Sequence, residues 1–324
     1  MYTSGKGGEM MSRILRFFAA ILAFFIFSPS DAQIAPYAPL DKDDLQISFT
    51  VISDGHLESN NAERHNNYGE GFLDMARAEV PSRALVMVGD NTMNGQLFEQ
   101  GMLYGLLRKY NPIENVLMAA GNHDIFGSDY NMADYDRLKK RFIRYNNAFL
   151  DHQIDELYHY AVIDGYYFVV LGSDKDAGVE QYISPEQFSW LDGVLKEASA
   201  SGKPVFLFNH WPLNDVFPEV WTEGHVGAQS DELKTALQKY GSRIFYFSGH
   251  LHMGVFEGDG GYKEEGLITY INVPSFGSEN TNGDADAQET GLGLQVEVYE
   301  NELVVRVRNF VQHEWTDYEY RFAL

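Results

Sequence analysis

The chain has 324 residues, 44% of them hydrophobic and 14% aromatic, with a formal net charge of −23. That is enough apolar material for a folded core, and the excess of carboxylates disfavours a polyanion such as DNA as a general substrate. Cysteine is absent, which excludes disulfides, lipid attachment at a thiol and thiolate metal sites; any metal must be held by nitrogen and oxygen donors.

The N-terminus reads as an address label. Arg13 and Arg16 precede the apolar run Phe17 to Phe27, and "SPSDAQ" follows with small residues at Ser30 and Ala32. A basic flank, a short apolar stretch and a small-x-small site indicate a secretory signal peptide over residues 1–32, cleaved after Ala32, and hence an exported protein, periplasmic or secreted. The run falls short of the ~20 residues that a membrane span needs. Residues 33–44 are a polar, proline-bearing lead-in linker. No repeat or further linker interrupts residues 45–324, which read as one domain.

From there strands and helices alternate. "QISFTVIS" (46–53) is β-branched and aromatic, a strand. "GFLDMARAEV" (71–80) has helical spacing, "ALVMV" (84–88) is a strand, and "QLFEQGMLYGLLRKY" (96–110) is a helix. "NVLMAA" (115–120) is a strand and residues 135–150 a helix. "YHYAVID" and "YYFVVLGSD" predict a hairpin turned at Gly165. Ser184-Pro185-Glu186-Gln187 starts a helix, with Ser184 as cap, proline in the first turn and Gln187 closing a capping box. "PVFLF" (204–208) and "IFYFS" (244–248) are strands around the helix 231–240. In "LGLQVEV" (292–298), Leu292, Leu294, Val296 and Val298 share one face, with Gln295 and Glu297 on the other. Short apolar runs buried on both faces predict sheets covered by helices, with the ligand crevice beyond the C-terminal strand ends.

Those strand ends carry the chemistry. They read Asp54-Gly55-His56, Gly89-Asp90-Asn91, Gly121-Asn122-His123-Asp124, Asn209-His210-Trp211 and Gly249-His250-Leu251-His252. One such ending is ordinarily a solvated or hydrogen-bonded loop; five in succession are a donor set. Imidazole nitrogens with carboxylate and amide oxygens suit a borderline cation, and a carboxylate can bridge two. Two cations about 3.5–4 Å apart acidify a water and clamp the oxygens of an in-line displacement, as phosphate esters require.

The ordered blocks D-x-H, G-D, G-N-H-D, H and G-H-x-H, from Asp54 to His252, resemble the calcineurin-like metallophosphoesterase superfamily. The resemblance implies an α/β fold, a four-layer αββα sandwich of two mixed β-sheets flanked by helices. It implies Asp54, His56 and His252 as ligands of a first metal, Asp90 as the bridge, and Asn122, His210 and His250 as ligands of a second. The two divalent or trivalent ions would be Mn, Fe or Zn. His123 is similar to the family's unligated catalytic histidine, which faces the phosphate, and Asp124 would fix its loop by hydrogen bonds. The expected reaction is hydrolysis by in-line attack of a metal-bound hydroxide on a small phosphoester.

Purple acid phosphatases in this superfamily place a ligating tyrosine three residues after the G-D aspartate; Met93 stands there. The surrounding pattern is closer in look to phosphodiesterases of cyclic nucleotides or glycerophosphodiesters. A phosphomonoesterase or nucleotidase is the alternative, and a non-catalytic exported binding module a further one. Trp211 offers either a stacking surface for a substrate ring or a packed rim. The loops 256–266 and 277–291 either frame the site or are merely solvated.

Overall fold

The computed structural model describes residues 35–126, 135–175, 178–217, 225–255, 261–277, 280 and 290–324. The signal-peptide reading therefore lies outside the described residues. Among those described, no helix is long and apolar enough to cross a membrane.

Two six-stranded mixed sheets stack face to face. The first holds β1 (Ile47–Ile52), β2 (Ala84–Val88), β3 (Asn115–Ala119), β10 (Leu292–Val298), β11 (Glu302–Asn309) and β12 (Glu314–Ala323), in the order β12-β11-β10-β1-β2-β3. The second holds β4 (His159–Ile163), β5 (Tyr166–Val170), β6 (Val205–Phe208), β7 (Ile244–Ser248), β8 (Tyr262–Glu265) and β9 (Ile268–Asn272), in the order β4-β5-β6-β7-β9-β8. Strands β1, β2 and β3 run parallel, as do β5, β6, β7 and β9. The strands ending in the five donor blocks all belong to these parallel runs. Their C-terminal ends emerge together, where an open α/β sheet binds ligands.

Alternation along each strand divides the core. Phe49, Val51, Val86, Val88, Phe206, Phe208, Phe245 and Phe247 fill the space between the sheets. Phe49 is its centre, with ring centroids 5.0 Å from Phe168 and 4.7 Å from Phe206. The opposite strand faces meet helices. Leu85, Met87 and Met118 join residues of α1 (Ala62–Met75), α2 (Leu97–Tyr110) and α3 (Tyr135–Phe149); Val169, Leu207 and Tyr246 join those of α4 (Pro185–Ser199) and α5 (Ser230–Gln238). This is the expected αββα sandwich.

Local signals account for the element ends. Asp164 and Gly165 both have positive φ, 52° and 82°, which is the geometry of a two-residue hairpin turn. Ser184 accepts the Gln187 amide at 3.1 Å, as its capping position predicts. The reciprocal half differs: the Ser184 amide donates to Asp174 at 2.8 Å, and Gln187 instead bonds both backbone groups of Gly172.

Three expectations need correction. The first helix covers 62–75 rather than 71–80, starting where Asn61 accepts the Arg64 amide. Its early turns are polar because they face the loops of the site, so no apolar stripe announces them. The lead-in is no loose linker over its described part. Tyr37 is buried, its hydroxyl donates to Gln295, and the Leu40 amide donates to Glu297 at 3.1 Å. The polar face of β10 is thus roofed by the segment before β1, and Gln295 and Glu297 are buried as well. Finally, part of the loop 256–266 is the edge strand β8; residues 256–260, and most of 277–291, lie outside the described residues.

Candidate metal centre

The five blocks converge. Asp54, His56, Asp90 and His252 each offer a ligand atom, all within 4.8 Å of one another; Asp90, His210 and His250 do the same. Asp90 belongs to both groups. Its Oδ2 lies 3.2 Å from His210 Nε2 and 3.7 Å from His56 Nε2, while Oδ1 accepts the His123 amide at 2.8 Å. In the first group His252 Nε2 is 2.9 Å from His56 Nε2 and 3.3 Å from Asp54 Oδ1. In the second, His210 Nε2 is 3.1 Å from His250 Nδ1 and 3.2 Å from Asn122 Oδ1. The structure therefore brings all seven of the sequence-predicted residues together, Asn122 included.

The backbone is bent to bring them there. Asp54, His56, Asp90, His250 and His252 have φ of 53°, 42°, 47°, 70° and 46°. Non-glycine residues rarely occupy this left-handed region, and such strain collects at functional sites held by their surroundings. Strands β1, β2 and β7 exit into left-handed residues that turn their side chains across the strand ends; the exits of β3 and β6 keep negative φ. Gly121 and Gly249 permit the close approach: a Cβ on Gly121 would strike the Asp90 carboxylate and amide, and one on Gly249 would strike Ser53 and Asp54.

The donor chemistry fits cations. His210 Nδ1 lies 2.9 Å from the Val88 carbonyl, which can only accept, so Nδ1 carries a hydrogen, and a neutral ring would turn its Nε2 lone pair to Asp90, Asn122 and His250. Acceptors facing acceptors in a buried site need a positive charge between them. Burial would lower His210, but the Asp90 charge outweighs it and pushes the ring up to about 9. Burial, reinforced by the His210 charge, pushes His250 down to about 3. Burial also holds His56 well below its ordinary value. The carboxyls of Asp54 and Asp90 would be raised by burial, yet the His252 hydrogen bond, for Asp54, and the His210 charge, for Asp90, hold both below the usual range. A proton on His210 answers the charge of one cluster; a pair of cations answers both.

His123 flanks this centre. Its ring lies edge-on to His56, centroids 4.6 Å apart, and its Nδ1 is 2.9 Å from the Met93 carbonyl. Nδ1 is thereby the donor, leaving Nε2 as the nitrogen that takes or gives a proton. His123, His250 and His252 keep partial exposure, while the other donors are buried. The centre is therefore open to solvent at these three histidines, while His56 and His210 lie behind them.

Asp124 holds loops, as expected. Its carboxylate accepts from the amides of Gly121, Asn91 and Thr92, and from the side chains of Asn91 and Thr92. Burial and the Asp90 charge push it up to about 6. Of the two alternatives for Trp211 the structure shows the packed one: it is fully buried, donates to the Val179 carbonyl at 2.9 Å and stands edge-on to His210. It is a wall behind His210, and its buried ring leaves no face on which a substrate ring could stack. Arg64 was missed from the sequence. It anchors on the His56 carbonyl at 2.9 Å, and no motif marks a lone arginine near a helix start.

A stacked pair of mixed sheets with a cage of imidazole, carboxylate and amide donors at its strand ends defines a protein with a dinuclear metal-binding centre. Residues 47–254 match the calcineurin-like phosphoesterase family, and the chain belongs to it. Among solved structures it is similar to a dimetal phosphatase from Danio rerio, with a TM-score of 0.58 at 14% identity over 86% of this chain and 99% of that one. It is also similar to the purple acid phosphatase PPD1 from yellow lupin, with a TM-score of 0.57 at 10% identity over 92% and 56%. At these identities the likeness is one of fold. Curated relatives include manganese-dependent ADP-ribose/CDP-alcohol diphosphatases. The one from Bos taurus is 26% identical over 42% of this chain and 36% of its own length. The one from Arabidopsis thaliana is 27% identical over 34% and 45%. The chain thus spans less than half the length of either relative.

Proposed function

We propose that the chain hydrolyses small phosphoesters whose phosphorus carries two substituents, either phosphodiesters or diphosphate esters. One divalent cation would be held by Asp54, His56, Asp90 and His252, and a second by Asp90, Asn122, His210 and His250. The observation that carries this reading is Asp90, whose carboxylate stands in both donor clusters. The names of the curated relatives support small diphosphate-containing substrates, and Met93 speaks against a tyrosinate centre.

When bound, such a cation pair supplies an acidified water and a clamp for the phosphoryl oxygens. The chain's own groups do the rest. The His123 amide pins Asp90 Oδ1, which keeps Oδ2 between the clusters. The Met93 carbonyl fixes the His123 tautomer. Protonated at Nε2, His123 donates to the oxygen that leaves. Trp211 shuts water from behind His210.

The same reading takes residues 45–324 as the catalytic domain and residues 1–32 as a cleaved export signal. The basic flank and short apolar run support the signal; mass analysis of protein recovered outside the cytoplasm checks it, and an intact residue 1 there would count against cleavage.

The function is tested with metal-reconstituted protein on a bis-aryl phosphate, a mono-aryl phosphate, a cyclic nucleotide and ADP-ribose. Disubstituted phosphates are expected to turn over faster than the monoester. A preference for the monoester with every metal would overturn the reading.

A further inference from the structure

Arg64 is built into the rim of the metal centre without belonging to its donor set. It lies in the first turn of α1, and its side chain is 19% exposed. Nη1 donates to the His56 carbonyl at 2.9 Å, lies 3.6 Å from Met93 Sδ, and is 3.7 Å from the Glu58 carboxylate. His56 stands in the first donor cluster, and the Met93 carbonyl orients His123. The guanidinium is therefore fastened to the two residues that frame His123.

Its unused side matters most. A guanidinium has N–H groups on three nitrogens, and among the described residues every side-chain hydrogen bond of Arg64 is made from Nη1. The Nε and Nη2 edge is the planar fork that takes two oxygens of a phosphate side by side. This chain carries 47 acidic residues against 24 basic ones. Its overall field repels an anionic substrate, so a fixed cation beside the reacting centre has a local task.

We propose that Arg64 is a specificity-determining residue that binds the second phosphoryl group of a diphosphate-linked substrate, on the leaving side of the bond that breaks. The proposal deepens the reading above and rests on it. In the reaction the oxygen of water bonds to one phosphorus and the bridging P–O bond breaks. The electron pair departs with the second phosphoryl group, and the protons of water pass to products and solvent. The charge gained by the leaving phosphate is what the fork meets. A diester with two aryl groups has no such phosphate and cannot use it.

The test compares wild type, Arg64→Gln and Arg64→Lys on ADP-ribose and on bis(p-nitrophenyl) phosphate, with metal content measured on each protein. Removing charge-assisted hydrogen bonds should lower kcat/KM for ADP-ribose, relative to that for the bis-aryl ester, by roughly 10- to 100-fold in Arg64→Gln. KM should carry most of the change, and Arg64→Lys should fall between. Equal losses on both substrates, or loss of metal in both variants, would mean that Arg64 only braces the His56 loop, and would overturn the proposal. So would an unchanged ratio. A wild-type protein that cleaves the bis-aryl ester but not ADP-ribose overturns the role of Arg64 while leaving the phosphoesterase reading in place; cleavage of neither defeats both.

Discussion

Asp124 Oδ1 accepts two hydrogen bonds from Thr92, one from the amide at 2.9 Å and one from the hydroxyl at 2.8 Å. Thr92 follows the bridging Asp90 in sequence, and Asp124 follows His123. The pair locks the loop after β2 to the loop after β3, so that Asp90, Asn122 and His123 keep one relative geometry.

Asp124→Ala would leave buried N–H and O–H donors on Asn91, Thr92 and Gly121 without their acceptor. Breaking a buried, charge-assisted network costs about 3–5 kcal/mol. Urea unfolding should register a loss of that order, accompanied by weaker metal retention. A midpoint equal to wild type would show that the network is not what holds the two loops.

Asp90 and His252 should behave differently on removal. Asp90→Ala takes a donor from both clusters, whereas His252→Ala takes one from the first alone. Metal analysis after reconstitution should find both ions depleted in the first variant and one retained in the second. Equal stoichiometry in the two variants would contradict a shared carboxylate.

His123→Ala should keep its metal and lose turnover. Proton donation to a leaving group contributes about 10²- to 10⁴-fold. The loss should be largest for alkyl leaving groups and smaller for p-nitrophenolate, which leaves without a proton. An equal loss across leaving groups would assign His123 to binding instead.

Acid stability should depend on a histidine pair remote from the centre. His159 Nε2 faces the Met118 carbonyl at 3.1 Å, and Nδ1 faces His152 Nε2 at 2.9 Å. Burial, aided by His152, pushes His159 down to about 3. The folded-state value is depressed, so the contribution is complete above the unfolded value near 6.5 and is lost as the pH falls toward 3. The full shift corresponds to roughly 5 kcal/mol at the acid limit. Between pH 7 and pH 4 the unfolding free energy of wild type should fall more steeply than that of His159→Gln. Parallel slopes would exclude His159 as the cause.

Legibility varied with the kind of residue. The parallel strands were plain because short runs such as "ALVMV" and "IFYFS" are apolar on both faces. The seven donors were plain because each follows such a run directly. The start of α1 was hidden, since Glu63 is exposed and Arg64, His65 and Asn67 bond polar groups of neighbouring loops, and so carry no apolar period. Tyr37 was hidden for another reason. A single aromatic in a proline-bearing lead-in gives no period, yet it roofs Gln295 on a strand that follows it by more than 250 residues. Trp211 stayed open between stacking and packing because its neighbour His210 is a candidate ligand, while its own ring turns into the core.

The sequence by itself determined which residues are available to bind cations and that they stand at strand ends, because composition and strand pattern are local properties of the chain. Only the tertiary structure decided which donors share a cluster, that Asp90 stands in both, that Trp211 faces inward, and that Arg64 comes to rest beside His56. Those relations depend on the stacking of two sheets and on left-handed turns at Asp54, His56, Asp90, His250 and His252. Residues 54 and 252 meet through packing across the whole fold, and no local spacing encodes such a meeting.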